Sequence, residues 1–213
     1  MRHHFIHVSK TGGTAIMAAL RPLAQERNIV LHPHTTRLKD IPPGEKVFFA
    51  LREPVSRFVS GFHSRLRMEQ PGHHVPWTEA EKVAFREFST PNELAEALSS
   101  PGDRVRARYA MQNIGHVKTR LIDWFDDARA VHARRHDILL IAFQETLDAD
   151  FAKLVSLLGL PGVALPKNDV AAHRSPQDLN HALSDKGREN IAAWYEADIR
   201  LYDRLREVWS QSR

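Results

Sequence analysis

Lys10, Gly12, Gly13 and Thr14 fall within the run His7-Val8-Ser9-Lys10-Thr11-Gly12-Gly13-Thr14. Their types suit the capture of an anion. A lysine brings a mobile full charge, paired glycines let a ligand approach the main chain closely, and the hydroxyls of Thr11 and Thr14 add hydrogen-bond donors. A second basic group follows at Arg52, with Ser60 eight positions further on and Arg57 between them. An arginine fork and a serine hydroxyl can converge on one phosphate. The chemistry predicted is the binding of a ligand carrying more than one phosphate-like group. For the first run taken alone, a plain glycine turn is the alternative.

The elements around these residues decide whether they can converge. Phe5, Ile6 and Val8 form a strand-like stretch before the first run, and Ile16, Leu20, Leu23 and Ala24 share one helical face behind it. Thr14 is a candidate helix cap and Pro22 a candidate kink. A strand, a glycine turn and a helix start bring free N–H groups and the positive end of the helix dipole to one place. Val47 to Leu51 is a continuous apolar run suited to a buried parallel strand. Arg52 then falls at its carboxyl end, the edge at which open α/β sheets bind ligands. Pro54 fits a first helical turn. Val55, Phe58, Val59, Phe62 and Leu66 make a buried stripe, with Ser56, Ser60, Ser64, Arg57 and Arg67 toward another side. Arg57 either supports a phosphate or pairs with Glu53. The lysine precedes the glycines, unlike the order of the common nucleoside-triphosphate loop, and the G-x-G-x-x-G dinucleotide pattern is absent.

Lys10 to Thr14 resembles the 5′-phosphosulfate loop of sulfotransferases that use 3′-phosphoadenosine-5′-phosphosulfate (PAPS). Arg52 through Ser60 resembles their 3′-phosphate motif. The wording SKTGGT with REPVSRFVSG is most similar to the carbohydrate branch, which includes heparan, chondroitin and uronyl 2-O-sulfotransferases. The resemblance rests on about the first 65 residues. It implies that Lys10 meets the oxygen bridging sulfur and the 5′-phosphate, that Thr11, Gly12, Gly13 and Thr14 hold the 5′-phosphate, and that Arg52 and Ser60 hold the 3′-phosphate. The implied product besides a sulfate ester is 3′,5′-adenosine bisphosphate, with no metal required.

Transfer to a hydroxyl needs a proton acceptor, and carboxylates are scarce beside the motifs. Leu31-His32-Pro33-His34 follows a short strand over residues 28–31. Pro33 makes the segment extended, so His32 and His34 are expected to point the same way. Imidazole accepts a proton near neutral pH. The segment resembles the H-x-H pair of the uronyl 2-O enzymes, which implies His34 as the base and His32 as its partner. A solvated loop histidine and a metal ligand are the alternatives, and no third ligand of obvious spacing accompanies the pair. His3, His4, His73 and His74 are expected to be solvated. Glu145, at the end of the apolar run Ile138–Ala142, is a rival base, though a structural role fits it better.

The expected fold is α/β: a P-loop-like three-layer arrangement with a central parallel sheet flanked by helices, in a single domain over 1–213. The basic residues are concentrated early. Residues 1–75 hold 11 Lys and Arg against 5 Asp and Glu, net +6, whereas residues 76–213 are net −2, with 19 against 21. That asymmetry favours anionic ligands. The basic run Arg104 to Tyr109 lacks interleaved aromatics, so nucleic acid is not expected as a partner. An acceptor surface including Arg108 suits an anionic carbohydrate, and Gln112 resembles a substrate contact of related enzymes. Resemblance also implies a late loop that closes on the nucleotide, for which Lys167 and Arg174 are candidates. Asp148 is a candidate cap for the helix after Glu145, and Ser184 for a long final helix whose stripe runs from Ile191 to Trp209. The chain has no cysteine, which excludes disulfides and thiolate metal sites. It shows no apolar span of ~20 residues. The first strand begins at once, with no leader pattern. Together these predict a cytoplasmic, bacterial enzyme or an isolated catalytic domain. The rival functions are a P-loop kinase-like transferase and a non-catalytic nucleotide- or polyanion-binding protein.

Overall fold

A computed structural model describes residues 1–72, 74–167 and 182–211. They gather into two compact units: residues 1–52, 121–167 and 200–211 in the first, and 53–120 and 182–199 in the second.

The first unit is built on four parallel strands, β1 (His3–Ile6), β2 (Ile29–Leu31), β3 (Lys46–Leu51) and β4 (Ile138–Phe143), in the order β2-β1-β3-β4. The strands are apolar because both faces are covered. In β3, Phe48 and Ala50 face a cluster with Ile16 and Leu20 of α1 (Gly13–Leu20) and with Phe151, Leu154 and Val155 of the helix Leu147–Leu157. Val47, Phe49 and Leu51 face the opposite cluster. It contains Trp124 and Phe125 of the helix Ile122–Phe125, Val131 of the helix Ala128–Ala133, and Leu201, Tyr202 and Leu205. The unit is therefore a three-layer α/β fold, as the sequence predicts. All four strands run the same way, so their carboxyl ends share one edge. The chain passes from β1 to β2 on one side and returns to β3 on the other, which makes the carboxyl edge between β1 and β3 the switch point where such sheets take ligands.

The second unit is helical: α2 (Pro54–Leu66), α3 (Glu79–Glu87), α4 (Pro91–Ala97), α5 (Arg104–Asn113), α6 (Gly115–Lys118) and, later in the chain, the helix Asp185–Trp194. Numbering in chain order makes the helices just named in the first unit α7 (Ile122–Phe125), α8 (Ala128–Ala133) and α9 (Leu147–Leu157), and Asp185–Trp194 is α10. Thr78 with Glu81 and Thr90 with Glu93 form reciprocal capping boxes on α3 and α4. The expected long final helix is broken at Tyr195, where α10 ends and α11 (Glu196–Gln211) begins. Ser184 caps α10 by accepting the Gly187 N–H at 3.1 Å.

Expectation and structure part at two caps. Thr14 is not the cap of α1: the helix opens at Gly13, and the cap position is Gly12, whose side is bare. Asp148 is not the cap of α9. The fully buried Asp150 instead accepts the Phe143 N–H at 2.9 Å and the Thr146 hydroxyl at 2.7 Å, tying the helix to the end of β4. On α2, Arg57, Ser60, Ser64 and Arg65 are buried along with the apolar stripe.

Candidate functional site

The glycine run forms a tight turn between β1 and α1. Lys10 has φ +65° and Gly12 has φ +85°, both in the left-handed region. Gly12 takes this shape at no steric cost, whereas Lys10 is a lysine held in a sparsely populated conformation, as happens at binding turns. Thr11 is fully buried and its hydroxyl donates to the Val8 carbonyl at 3.0 Å, closing the turn from inside. The first N–H groups of a helix have no partner within it. In α1 no side chain caps them and no acidic residue stands in the first turn. A main-chain concavity with a lysine at its rim and no competing carboxylate in the helix start fits the phosphate end of a nucleotide.

The end of β2 lies beside this turn through the pairing of the strands. His32 N–H donates to the Phe5 carbonyl at 3.1 Å, continuing the β1–β2 ladder. Two residues on, His34 is exposed, and its Nδ1 lies 2.7 Å from the His7 carbonyl oxygen. A carbonyl only accepts, so Nδ1 carries the proton and the neutral ring keeps its lone pair on Nε2. The Trp124 Nε1–H donates to the His34 carbonyl at 2.8 Å, which holds the main chain at the same residue. The ring is thus fixed by one nitrogen and the main chain by the residue's own carbonyl.

His32 does not share that orientation. Its Nε2 meets His4 Nδ1 at 2.8 Å, the two rings stack with centroids 5.1 Å apart, and His4 Nε2 in turn meets the Glu45 carboxylate. Burial first, then His4, lowers the pKa of His32 below its ordinary value, against the pull of Asp40. His4, expected to be solvated, is 4% exposed. Its place in β1, alternating with Phe5, was the signal that it turns inward with Ile6.

Arg52 follows the last residue of β3 at the same sheet edge and is half-buried. Glu145 follows β4 there. It is exposed and accepts the Tyr202 hydroxyl at 3.1 Å, and that hydroxyl accepts from Arg206 Nη1 at 2.7 Å. Burial, with the Glu145 charge, raises the Tyr202 pKa above its ordinary value. Lys167 is exposed, and Arg174 lies outside the described residues, as does His73.

The remaining candidates belong to the second unit. Ser60 is 4% exposed in α2. Arg57 is 2% exposed, and its guanidinium donates to the Thr119 carbonyl at 2.8 Å and to the Thr119 hydroxyl at 2.9 Å. The Glu53 carboxylate caps α2 by accepting the Val55 and Ser56 N–H groups at 2.9 and 2.7 Å. The structure thus places Arg57 in the interior of this unit as an anchor of the segment at Thr119. Arg108 and Gln112 are exposed on α5, with the Arg108 guanidinium 5.9 Å from the Trp194 ring centroid. Among the described residues no three His, Asp or Glu side chains gather as a metal site, and no helix is long and apolar enough to cross a membrane.

A family model described as the sulfotransferase family matches residues 3–203. No curated protein and no solved structure matches the chain.

Proposed function

The chain belongs to the sulfotransferase family, and from that premise we propose that it transfers the sulfuryl group of PAPS to a carbohydrate hydroxyl, with His34 as the base. Family membership makes it a transferase of sulfuryl groups to hydroxyl-bearing acceptors, and the family generally uses PAPS. The carbohydrate acceptor and the residue roles are our reading. The observation that carries it is the pairing, at one sheet edge, of an uncapped glycine turn at Lys10–Gly13 with an exposed imidazole that turns its Nδ1–H to the His7 carbonyl.

In this reading the main chain of residues 11–14 and the Thr14 hydroxyl hold the 5′-phosphate, and Arg52 at the same sheet edge holds the 3′-phosphate. When bound, PAPS supplies a sulfuryl group already activated by its phosphate leaving group. Lys10 places its ammonium where negative charge builds on the departing bridging oxygen. His34 Nε2 takes the proton of the acceptor hydroxyl as that oxygen bonds to sulfur. His32, committed to His4 and Glu45, steadies the segment that carries His34. Arg108 and Gln112 are offered as acceptor contacts for an anionic sugar.

The test is calorimetry with adenosine 3′,5′-bisphosphate, ATP and AMP, followed by transfer from labelled PAPS to a panel of acidic and neutral saccharides. The bisphosphate is expected to bind most tightly and to lose that advantage in Arg52→Ala. A positioned base contributes about 10² to 10⁴ in rate, so His34→Ala is expected to lower kcat by about that factor with bisphosphate affinity kept. ATP binding as tight as the bisphosphate would overturn the proposal.

A further inference from the structure

His7 has no part in the scheme above, yet it stands between the glycine turn and His34. It is 8% exposed. On one side is Gly13, where a Cβ would stand 2.8 Å from His7 Nε2, nearer still to its Cδ2, and 3.3 Å from Phe5 Cζ. Gly13 lacks the positive φ of Gly12, so a glycine is needed here for space and not for backbone angle. The space it leaves is filled by the imidazole of His7. On the other side is the ring of His34, whose centroid lies 3.9 Å from that of His7. The carbonyl of His7 accepts the His34 Nδ1–H, and the Phe5 ring stacks behind at 5.7 Å.

We propose that His7 is a positioning residue of the transfer reaction, one that holds the base and the donor turn in a single register. The inference rests on the reading of His34 as the base. His7 acts in two ways: its carbonyl fixes the proton on His34 Nδ1, and its ring sets the plane in which His34 Nε2 is presented. Because the same ring rests against Gly13, a shift of the donor turn is passed to the base. A methyl group at position 13 has no room unless the His7 ring moves, and the His34 ring must then follow. Small displacements of this kind matter, since about 1 Å of misplacement can lower a rate on the order of 10²-fold.

The test is a double-mutant cycle on kcat with Gly13→Ala, His7→Ala and the pair, each checked for folding by thermal melting and for bisphosphate affinity by calorimetry. Each single variant is expected to lower kcat by at least about tenfold. The pair is expected to be no slower than His7→Ala alone, because the collision disappears with the imidazole; coupling of this kind marks residues in contact. A second readout needs no variant to be active: nitrogen-15 spectra of the histidine rings are expected to show His34 protonated on Nδ1 in the wild type and also in His7→Ala, which keeps the main-chain carbonyl that accepts that proton. Losses that simply multiply in the pair overturn the inference, as does a wild-type His34 protonated on Nε2. Undiminished transfer by His34→Ala instead overturns the base assignment, and the wild-type spectrum still reports whether the His7 carbonyl holds the His34 tautomer.

Discussion

Glu81→Gln is the perturbation whose size the structure defines best. Glu81 is 2% exposed and Arg65 is 4% exposed. The carboxylate accepts Arg65 Nε at 2.7 Å and Nη2 at 2.8 Å, the Thr78 N–H at 2.9 Å and the Gly115 N–H at 3.0 Å. It thus joins α2, the start of α3 and the start of α6. Burial pushes its pKa up, but Arg65 and the two main-chain N–H groups reverse that and hold it at about 2, against an ordinary 4.5. The difference corresponds to about 3 kcal/mol of folding free energy. Removing one member of a buried ion pair costs about 3–5 kcal/mol by a separate route, so the two estimates agree. The pKa is depressed in the folded chain. Its stabilisation is therefore complete above the unfolded value of 4.5 and is lost as pH falls toward 2.

The assay is urea unfolding of wild type and variant at pH 7 and at steps from pH 4.5 to pH 3. With a denaturant slope of about 2 kcal/mol per molar, Glu81→Gln is expected to lower the midpoint by about 1.5 M at pH 7. The gap between the two proteins is expected to narrow as pH falls. It does not close through Glu81 alone, because Glu69 is also held at about 2, first by its hydrogen bond with His116 and then by Arg65. Sharing Arg65 makes the two carboxylates non-additive. A midpoint unchanged at pH 7, or a gap constant with pH, would refute the reasoning.

Two further substitutions probe the first unit. Gly12→Ala forces a side chain into a left-handed position at a cost of about 1–2 kcal/mol and brings its Cβ 2.5 Å from Leu147 Cδ2; bisphosphate affinity measured by calorimetry is expected to fall about tenfold. Asp150→Ala strips the Phe143 N–H and the Thr146 hydroxyl of their acceptor, which predicts a loss of about 1–3 kcal/mol in urea unfolding, with the α1 turn and its ligand affinity unchanged.

Strands and turns were legible because they depend on neighbours in sequence. The run Val47–Leu51 is apolar at every position because alternate residues meet different cores, Phe49 the one with Phe125 and Phe48 the one with Phe151. That pattern, with Arg52 placed just beyond it, located the sheet edge. What escaped was set by partners distant in the chain. Arg57 meets Thr119 62 residues away, and His4 meets Glu45 across 41. No spacing rule in one sequence links such pairs, so Arg57 reads as a phosphate support or a partner of Glu53 and His4 as a solvated imidazole.

The histidines show how far this matters for function. An extended His32-Pro33-His34 segment sends alternate side chains to one side only while the strand continues straight. Pairing ends at His32, which still donates to Phe5, and beyond it each ring is claimed by a different histidine of the β1 segment: His32 by His4, His34 by His7. The sequence shows two histidines at base-like spacing; the β1–β2 register divides them into one ring joined through His4 to the Glu45 carboxylate and one exposed ring held by its Nδ1. The division follows from strand pairing: a one-residue slip of β2 would turn both rings to the opposite face, and only a two-residue slip would carry one histidine into the place of the other.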